Sequence, residues 1–155
     1  MPATPGPEVA TFNAYKKALI SSLGRKALDN TTINKIGRKQ LAGAWGGCWA
    51  QDEVKLKPHH YYIVNTDTSS GPGTHWIAVY TSANTAYVYD SYGRNPANLV
   101  HWFIRNLDKH GWKLGATNLN HHAEQIGYTS EVCGHDSLAW LLTVRDLGIR
   151  SGRRI

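Results

Sequence analysis

Three short runs of β-forming residues occupy the middle of the 155-residue chain, and helical patterns lie before and after them. The runs are Tyr61 to Val64, Trp76 to Tyr80 and Ala86 to Tyr89. Only the polar link from Thr81 to Thr85 separates the last two, which predicts an antiparallel hairpin. Grouped strands among helices predict an α+β fold with a mixed, largely antiparallel sheet packed against helices.

Apolar residues spaced by three and four positions predict four helices. They begin near Thr11, near Asn30, at Pro96 and near Cys133. The third is the clearest, because Asn95 can cap it and a proline suits the first helical turn. A glycine-rich segment, residues 43–49, interrupts the pattern and contains Trp45, Cys48 and Trp49.

The pattern predicts three parts of the chain. We expect a flexible leader over residues 1–10, a single domain over residues 11–149 and a basic tail over residues 150–155. The tail is expected to be disordered or held by a partner. The length suits one domain with a sizeable core and is too short for two ordinary domains.

Composition limits the compartment and the partners. Lys and Arg number 17 against 11 Asp and Glu, so the net charge of +6 favours polyanions, although small scattered clusters are equally typical of a solvated surface. Two cysteines do not make a disulfide scaffold and fit a reducing compartment. No signal sequence or membrane-spanning run is present, and no histidine spacing matches a standard metal site. We expect a protein that is not secreted and binds neither membrane nor metal.

Cys133 is the candidate nucleophile. It lies at the predicted start of the last helix, where unpaired backbone N–H groups and the positive end of the helix dipole favour thiolate over thiol. Most lone cysteines are inert small hydrophobic residues, so this position needs support from other residues. Thiol attack on a carbonyl also requires a base, a group that orients the base and donors for the oxyanion.

The predicted hairpin supplies the base and its orienting group. If the turn is centred between Ser82 and Ala83, His75 lies directly opposite Asp90. A carboxylate there can accept a ring N–H and hold the imidazole in one tautomer. Gln125, eight residues before the cysteine, and the backbone N–H of Cys133 are the oxyanion donors. Each residue also has an ordinary structural explanation, but four coincidences are less probable than a site.

Several short motifs in order resemble a known family. They are Gly73-Thr74-His75-Trp76, Tyr87-Val88-Tyr89-Asp90-Ser91-Tyr92-Gly93, Gln125, and Cys133-Gly134. Together they resemble the adenain-like cysteine proteases of adenoviruses, virophages and Polinton-type elements, which are related to the SUMO and ubiquitin-like protein proteases. The similarity runs from about Gly46 to about Leu147.

The resemblance implies a papain-like fold and a His75, Asp90 and Cys133 triad, with Gln125 in the oxyanion hole and Trp76 packing at the site. It implies a thiol endopeptidase that cleaves viral precursor capsid or core proteins during virion maturation, within the virion and the host cell. Adenovirus enzymes carry Glu at the Asp90 position, and their interval from the glutamine to the cysteine is one residue shorter. No cofactor is required by the sequence, DNA is a candidate activator, and a monomer is expected.

Other functions fit the same residues. A deconjugating protease for SUMO, ubiquitin or a related modifier would use the same chemistry with a different docking surface. An acyltransferase of the same broad fold would pass an acyl group from the cysteine to a side chain. A non-catalytic DNA-binding or scaffold protein is suggested by the charge alone and would not need Cys133.

Overall fold

The computed structural model describes residues 6–71, 75–115 and 132–155. The helices in these ranges are Pro7–Leu23 (α1), Asn30–Leu41 (α2), Pro96–Leu99 (α3), His101–Lys109 (α4), Cys133–Leu147 (α5) and Ile149–Gly152 (α6). The strands are Trp45–Ala50 (β1), Tyr61–Asn65 (β2), Trp76–Thr81 (β3), Thr85–Tyr89 (β4) and Lys113–Gly115 (β5). A short 3₁₀ turn over Ala42–Ala44 joins α2 to β1.

The five strands form one mixed sheet in the order β1-β2-β3-β4-β5. The outer pairs, β1 with β2 and β4 with β5, are parallel, whereas β2 with β3 and β3 with β4 are antiparallel. The α+β prediction with a mixed sheet is therefore confirmed, but two of the four strand pairings are parallel, so the sheet is not largely antiparallel as expected. None of the helices in the described part of the chain is long and apolar enough to cross a membrane.

Both faces of the sheet are covered, because side chains of the central strands alternate between two cores. One core packs the sheet against α1, α2 and α5, and its members include Phe12, Ile33, Ile63, Ala78, Tyr89, Leu138 and Trp140. The other packs it against α4, and its members include Tyr62, Val64, Ile77, Val79, Val88, Phe103 and Leu107. The central strands are thus buried on both sides, which explains their nearly continuous apolar sequence.

The hairpin turn differs from the prediction by one position. Thr81 pairs with Ala86 and Ala78 pairs with Tyr89, so the turn is centred between Ala83 and Asn84. The prediction that His75 lies directly opposite Asp90 is therefore wrong. The difference moves the partner strand by two residues, which keeps every side chain on its predicted face of the sheet.

The glycine-rich segment contains a strand that the sequence pattern did not reveal. Residues Trp45–Ala50 form edge strand β1, although two adjacent glycines argue against a strand. A Cβ at Gly46 would lie 2.2 Å from the ring of Tyr62, and Gly47 has a φ of 108°. The glycines are there because the neighbouring ring and the backbone bend leave no room for side chains.

Both predicted chain ends need correction. Helix α1 begins at Pro7, so residues 7–10 are helical, while residues 1–5 lie outside the described part. The basic tail is ordered on its own chain: α6 packs on α5, Trp140 Nε1 donates to the Gly152 carbonyl at 2.9 Å, and Ile155 is 1% exposed. Apolar Ile149 and Ile155 provide this anchorage among the arginines.

The third predicted helix is broken at Val100. Asn95 caps α3 as predicted, but the chain turns at Val100, and α4 begins at His101. The buried side chain of Gln51 replaces the cap, because its Oε1 accepts the N–H groups of Trp102 at 3.1 Å and Phe103 at 3.4 Å. The second helix is capped by Asp29, whose carboxylate accepts from Thr32 N at 2.8 Å.

Candidate active site

Three of the predicted site residues lie at one end of the sheet. His75 directly precedes β3, Asp90 directly follows β4, and Cys133 is the first residue of α5. Because β3 and β4 are antiparallel neighbours, the start of one lies beside the end of the other. All three residues are buried, with exposed fractions of 6%, 2% and 4% respectively.

His75 and Asp90 form a short hydrogen bond of 2.6 Å between ring Nε2 and Oδ1. A carboxylate can only accept, so Nε2 carries the hydrogen and, in the neutral ring, Nδ1 keeps its lone pair. Nδ1 is buried and has no hydrogen-bond partner among the described residues. The bond to Asp90 therefore selects the tautomer in which Nδ1 can act as a base.

Arg94 holds the other side of the Asp90 carboxylate. Oδ2 accepts from Arg94 Nε at 2.8 Å and from the Arg94 backbone N–H at 3.0 Å. Arg94 follows Asp90 by four positions, and the turn through Gly93, at a φ of 67°, brings the arginine back to the carboxylate. Asp90 consequently has fixed donors on both oxygens.

These contacts determine the charge of the pair. Burial would raise the pKa of the Asp90 carboxyl, but hydrogen bonds from His75 and Arg94 outweigh it and lower the pKa from 3.8 to about 2. Burial would also lower the pKa of His75, but the bond to Asp90 and the nearby Cys133 raise it above 6.5. The site thus keeps a carboxylate and favours a protonated imidazole.

Cys133 lies beside the imidazole and receives a backbone donor. The N–H of Trp76 donates to Cys133 Sγ at 3.4 Å. Cys133 is the first residue of α5, at the positive end of the helix dipole, and no side chain in the described ranges caps that end. The thiol influences the pKa of His75, although Nδ1 makes no hydrogen bond to it in this arrangement.

Trp76 connects β3 to the helices around the sulfur. Its carbonyl accepts from Ser137 Oγ on α5 at 3.2 Å, and its indole Nε1 donates to the Leu28 carbonyl at 3.0 Å. These bonds fix the tryptophan backbone between the strand and α5. The N–H that points at Cys133 Sγ is therefore held in place by its own residue's other polar groups.

The second cysteine has a different environment. Cys48 is a free thiol on β1 that packs against the helical core. Burial, together with the charge of Asp29, raises its pKa to about 12. Cys48 therefore stays protonated at neutral pH, whereas Cys133 lies next to an imidazole and at a helix start.

The fourth predicted site residue, Gln125, lies outside the described residues, as do Gly73 and Thr74. His75, Asp90, Trp76 and Cys133 are brought together. The carboxylate reaches the imidazole diagonally rather than from the opposed position, which the ends of two strands allow. The ring of Tyr92 lies beside the imidazole of His75, with the two ring centroids 5.4 Å apart.

Arg94 and Tyr92 are the site residues that sequence reasoning missed. Arg94 lies over the Tyr92 ring, with its guanidinium carbon 4.8 Å from the centroid, and it also binds Asp90. An acidic residue followed four positions later by arginine, across a turn containing glycine, was the available signal. Such spacing predicts ion pairs on helices and not in turns, so the pattern alone does not indicate this contact.

No protein-family model and no curated protein matches this chain. Within the described ranges, no group of three or more His, Cys, Asp or Glu side chains is arranged to hold a metal ion. The chemistry that the site supports is therefore inferred from its own side chains. A thiol at a helix start, an oriented imidazole and a fixed carboxylate are together suited to nucleophilic attack by sulfur.

Proposed function

We propose that this chain is a cysteine endopeptidase with Cys133 as nucleophile, His75 as general acid and base, and Asp90 as the group that orients His75. The observation that carries the proposal is the 2.6 Å bond from His75 Nε2 to Asp90, on the ring that lies beside Cys133. The bond directs the basic nitrogen away from the carboxylate and leaves it for the thiol.

The reaction follows from these positions. His75 Nδ1 takes the thiol proton, and the thiolate attacks the substrate carbonyl carbon to give a tetrahedral oxyanion. The imidazolium then protonates the departing amine, which leaves a thioester on Cys133. His75 next removes a proton from water, hydroxide attacks the thioester, and the acid product and the thiol are released.

The negative charge in each step requires fixed donors. Trp76 N–H and the start of α5 favour the thiolate before attack. The backbone N–H of Cys133 and the amide of Gln125 are proposed as donors to the oxyanion, and the glutamine assignment rests on the sequence alone. Arg94 keeps Asp90 ionised, so the imidazolium formed in the reaction retains its counter-charge.

The substrate class rests on the sequence resemblance to adenain-like proteases. It favours precursor capsid or core proteins of a virus or virus-like element, cleaved during maturation. DNA is retained as a candidate activator because the chain carries a net charge of +6.

Cleavage of precursor-type peptides containing glycine, with and without DNA, tests the activity. The wild type should cleave, and Cys133→Ala should reduce the rate to background while folding is preserved. Cys48→Ala is the matched control, because a protonated packing thiol takes no part in the reaction, so its rate should remain near that of the wild type.

The same assay separates the alternative functions. Exclusive labelling by a SUMO or ubiquitin vinyl probe would replace the maturation substrate with a conjugated modifier. Transfer of an acyl group without peptide cleavage would replace hydrolysis. DNA binding that survives in Cys133→Ala, with no cleavage by the wild type, would overturn the enzymatic proposal.

A further inference from the structure

The backbone of Trp76, the first residue of β3, is hydrogen-bonded by side chains of α5. The preceding carbonyl, that of His75, accepts from the Thr66 N–H beyond β2, and successive strand residues direct their polar groups to alternate sides. The N–H and C=O of Trp76 therefore point away from β2, and the paired register of β3 with β4 begins two residues further along. Here Cys133 Sγ accepts the Trp76 N–H at 3.4 Å, and Ser137 Oγ donates to the Trp76 carbonyl at 3.2 Å.

Ser137 lies one helical turn after Cys133 and is completely buried. Residues four apart on a helix are neighbours on one face, so the two bonds run side by side from α5 to the two backbone polar groups of one strand residue. The strand begins directly after His75, and the helix begins at Cys133. The bond from Ser137 therefore helps to fix the distance between the segments that carry the base and the sulfur.

Thr143, another completely buried hydroxyl residue on α5, bonds differently. Its Oγ1 donates to the carbonyl of Ala139, four residues earlier in the same helix, at 2.8 Å. Serine and threonine on helices commonly make such a bond, and it satisfies a buried hydroxyl without any partner outside the helix. Ser137 instead donates to the neighbouring strand, so its hydroxyl couples α5 to β3.

The side chain of Trp76 has an anchor of its own. Its indole Nε1 donates to the Leu28 carbonyl at 3.0 Å, and a Cβ added at Gly134, the residue after Cys133, would lie 3.3 Å from the Leu28 side chain. This bond restrains the indole, whereas the bond from Ser137 restrains the backbone that carries the N–H donor to sulfur. The two anchors therefore have different effects on the candidate site.

We propose that Ser137 is a positioning residue for the candidate nucleophile: its hydrogen bond to the Trp76 carbonyl holds the Trp76 N–H on Cys133 Sγ and keeps the sulfur in place beside His75. Because its hydrogen bond goes to Trp76 and not to the sulfur, Ser137 acts through that residue. Calling Cys133 a nucleophile rests on the proposed function. The effect of Ser137 on the Trp76 N–H can nevertheless be measured without any peptide cleavage.

The experiment follows hydrogen exchange of the Trp76 amide in the full chain by NMR. The rate is divided by that of the Val79 amide, which lies further along β3, so that a general loss of stability cancels. The variants are Ser137→Ala, Cys133→Ala and the double variant. Thr143→Val is the matched control, because it also removes one buried hydroxyl from α5. Peptide cleavage by the variants that retain Cys133 gives kcat and KM.

Ser137→Ala should raise the relative exchange rate of the Trp76 amide about tenfold, because the N–H is no longer held on the sulfur. Thr143→Val should leave this ratio unchanged. Adding Ser137→Ala to Cys133→Ala should change it by less than about twofold, since the acceptor is already absent. In cleavage, Ser137→Ala should lower kcat about tenfold and leave KM within about twofold, because a displaced sulfur slows attack without removing a substrate contact.

An unchanged ratio in Ser137→Ala, an equal rise in Thr143→Val, or the same rise when Cys133 is already alanine would overturn the proposal and leave Ser137 a structural contact. A raised ratio with an unchanged kcat, in a wild type that cleaves, would also overturn it. If the wild type cleaves no peptide, the proposed function fails, and the exchange ratios still decide whether Ser137 holds the Trp76 N–H on the sulfur.

Discussion

At the scale of single residues, the candidate site depends on which hydrogen bonds each carboxylate oxygen of Asp90 accepts. Oδ1 accepts from His75, and Oδ2 accepts from Arg94 through its side chain and its backbone. Because Arg94 occupies one side of the carboxylate, rotation of Asp90 away from His75 would break bonds on both oxygens. The arginine thus supports the orientation of the imidazole without touching it.

Asp90→Asn tests this arrangement through the rate of peptide cleavage. An amide can donate to His75 Nε2 and favour the other tautomer, so kcat/KM should fall by about 10²-fold. The pKa of His75 lies above 6.5 partly because of Asp90, and activity needs the imidazolium partner of the thiolate. The alkaline limb of the pH–rate profile should therefore move to lower pH in the variant.

Asp108→Asn is the matched control, since Asp108 is exposed on α4 and belongs to neither side of the site. Its pH–rate profile should coincide with that of the wild type. An Asp90→Asn enzyme with a wild-type rate and an unmoved alkaline limb would contradict the role given to the carboxylate.

At the scale of elements, the sequence predicted the parts that periodicity and helix capping determine. Helix α5 starts at Cys133 and α3 is capped by Asn95, both as expected, because leucine spacing and an Asn-Pro pair are local signals. The hairpin was correct in kind but off by one in its centre, since a five-residue polar link does not fix the turn. The break at Val100 could not be predicted, because Gln51, some fifty residues earlier, caps α4.

Gln51 joins three elements and should matter for stability. Its Oε1 caps α4, and its Nε2 donates to the Thr66 carbonyl. The backbone N–H of Thr66 in turn donates to the His75 carbonyl at 2.9 Å. Gln51→Ala removes the acceptor of the Trp102 and Phe103 N–H groups at the start of α4, so we expect a loss of about 2–3 kcal/mol in the free energy of unfolding. Urea denaturation measures the loss.

Gln40→Ala provides the comparison, because Gln40 is exposed on α2 and its side chain makes a long 3.5 Å contact with Arg145. Its unfolding free energy should fall by at most a few tenths of a kcal/mol. Equal losses in the two variants would show that the cap on α4 contributes nothing beyond an ordinary surface glutamine.

At the scale of the whole molecule, the two cores and the ordered C-terminal segment lie beyond what the sequence alone could determine. Ile155 is buried because α6 turns back onto Trp140. No local pattern in this arginine-rich segment predicts that contact. Strand β1 could not be predicted for a similar reason, since Gly46 is explained by the Tyr62 ring against it and Gly47 by its φ of 108°. In contrast, the placement of His75, Asp90 and Cys133 at one end of the sheet could be predicted, because residue types and strand ends carried that information.

The buried carboxylate also ties the stability of the whole molecule to pH. The pKa of Asp90 is lowered from 3.8 to about 2, so its contribution is fully present above pH 4 and is lost as the pH falls toward 2. The loss should be roughly 2 kcal/mol of unfolding free energy over that window. Asp90→Asn should lack this part of the acid dependence in urea titrations, and Asp108→Asn should retain it.

Trapping the thioester tests whether Cys133 becomes acylated with the help of His75. Peptide substrate is mixed with the protein, quenched in acid within the first turnover and examined by intact-protein and peptide-map mass spectrometry. We expect an acyl adduct on Cys133 in the wild type and in Cys48→Ala, and no adduct in Cys133→Ala or His75→Ala. An adduct on Cys48, or cleavage that continues in Cys133→Ala, would contradict this expectation.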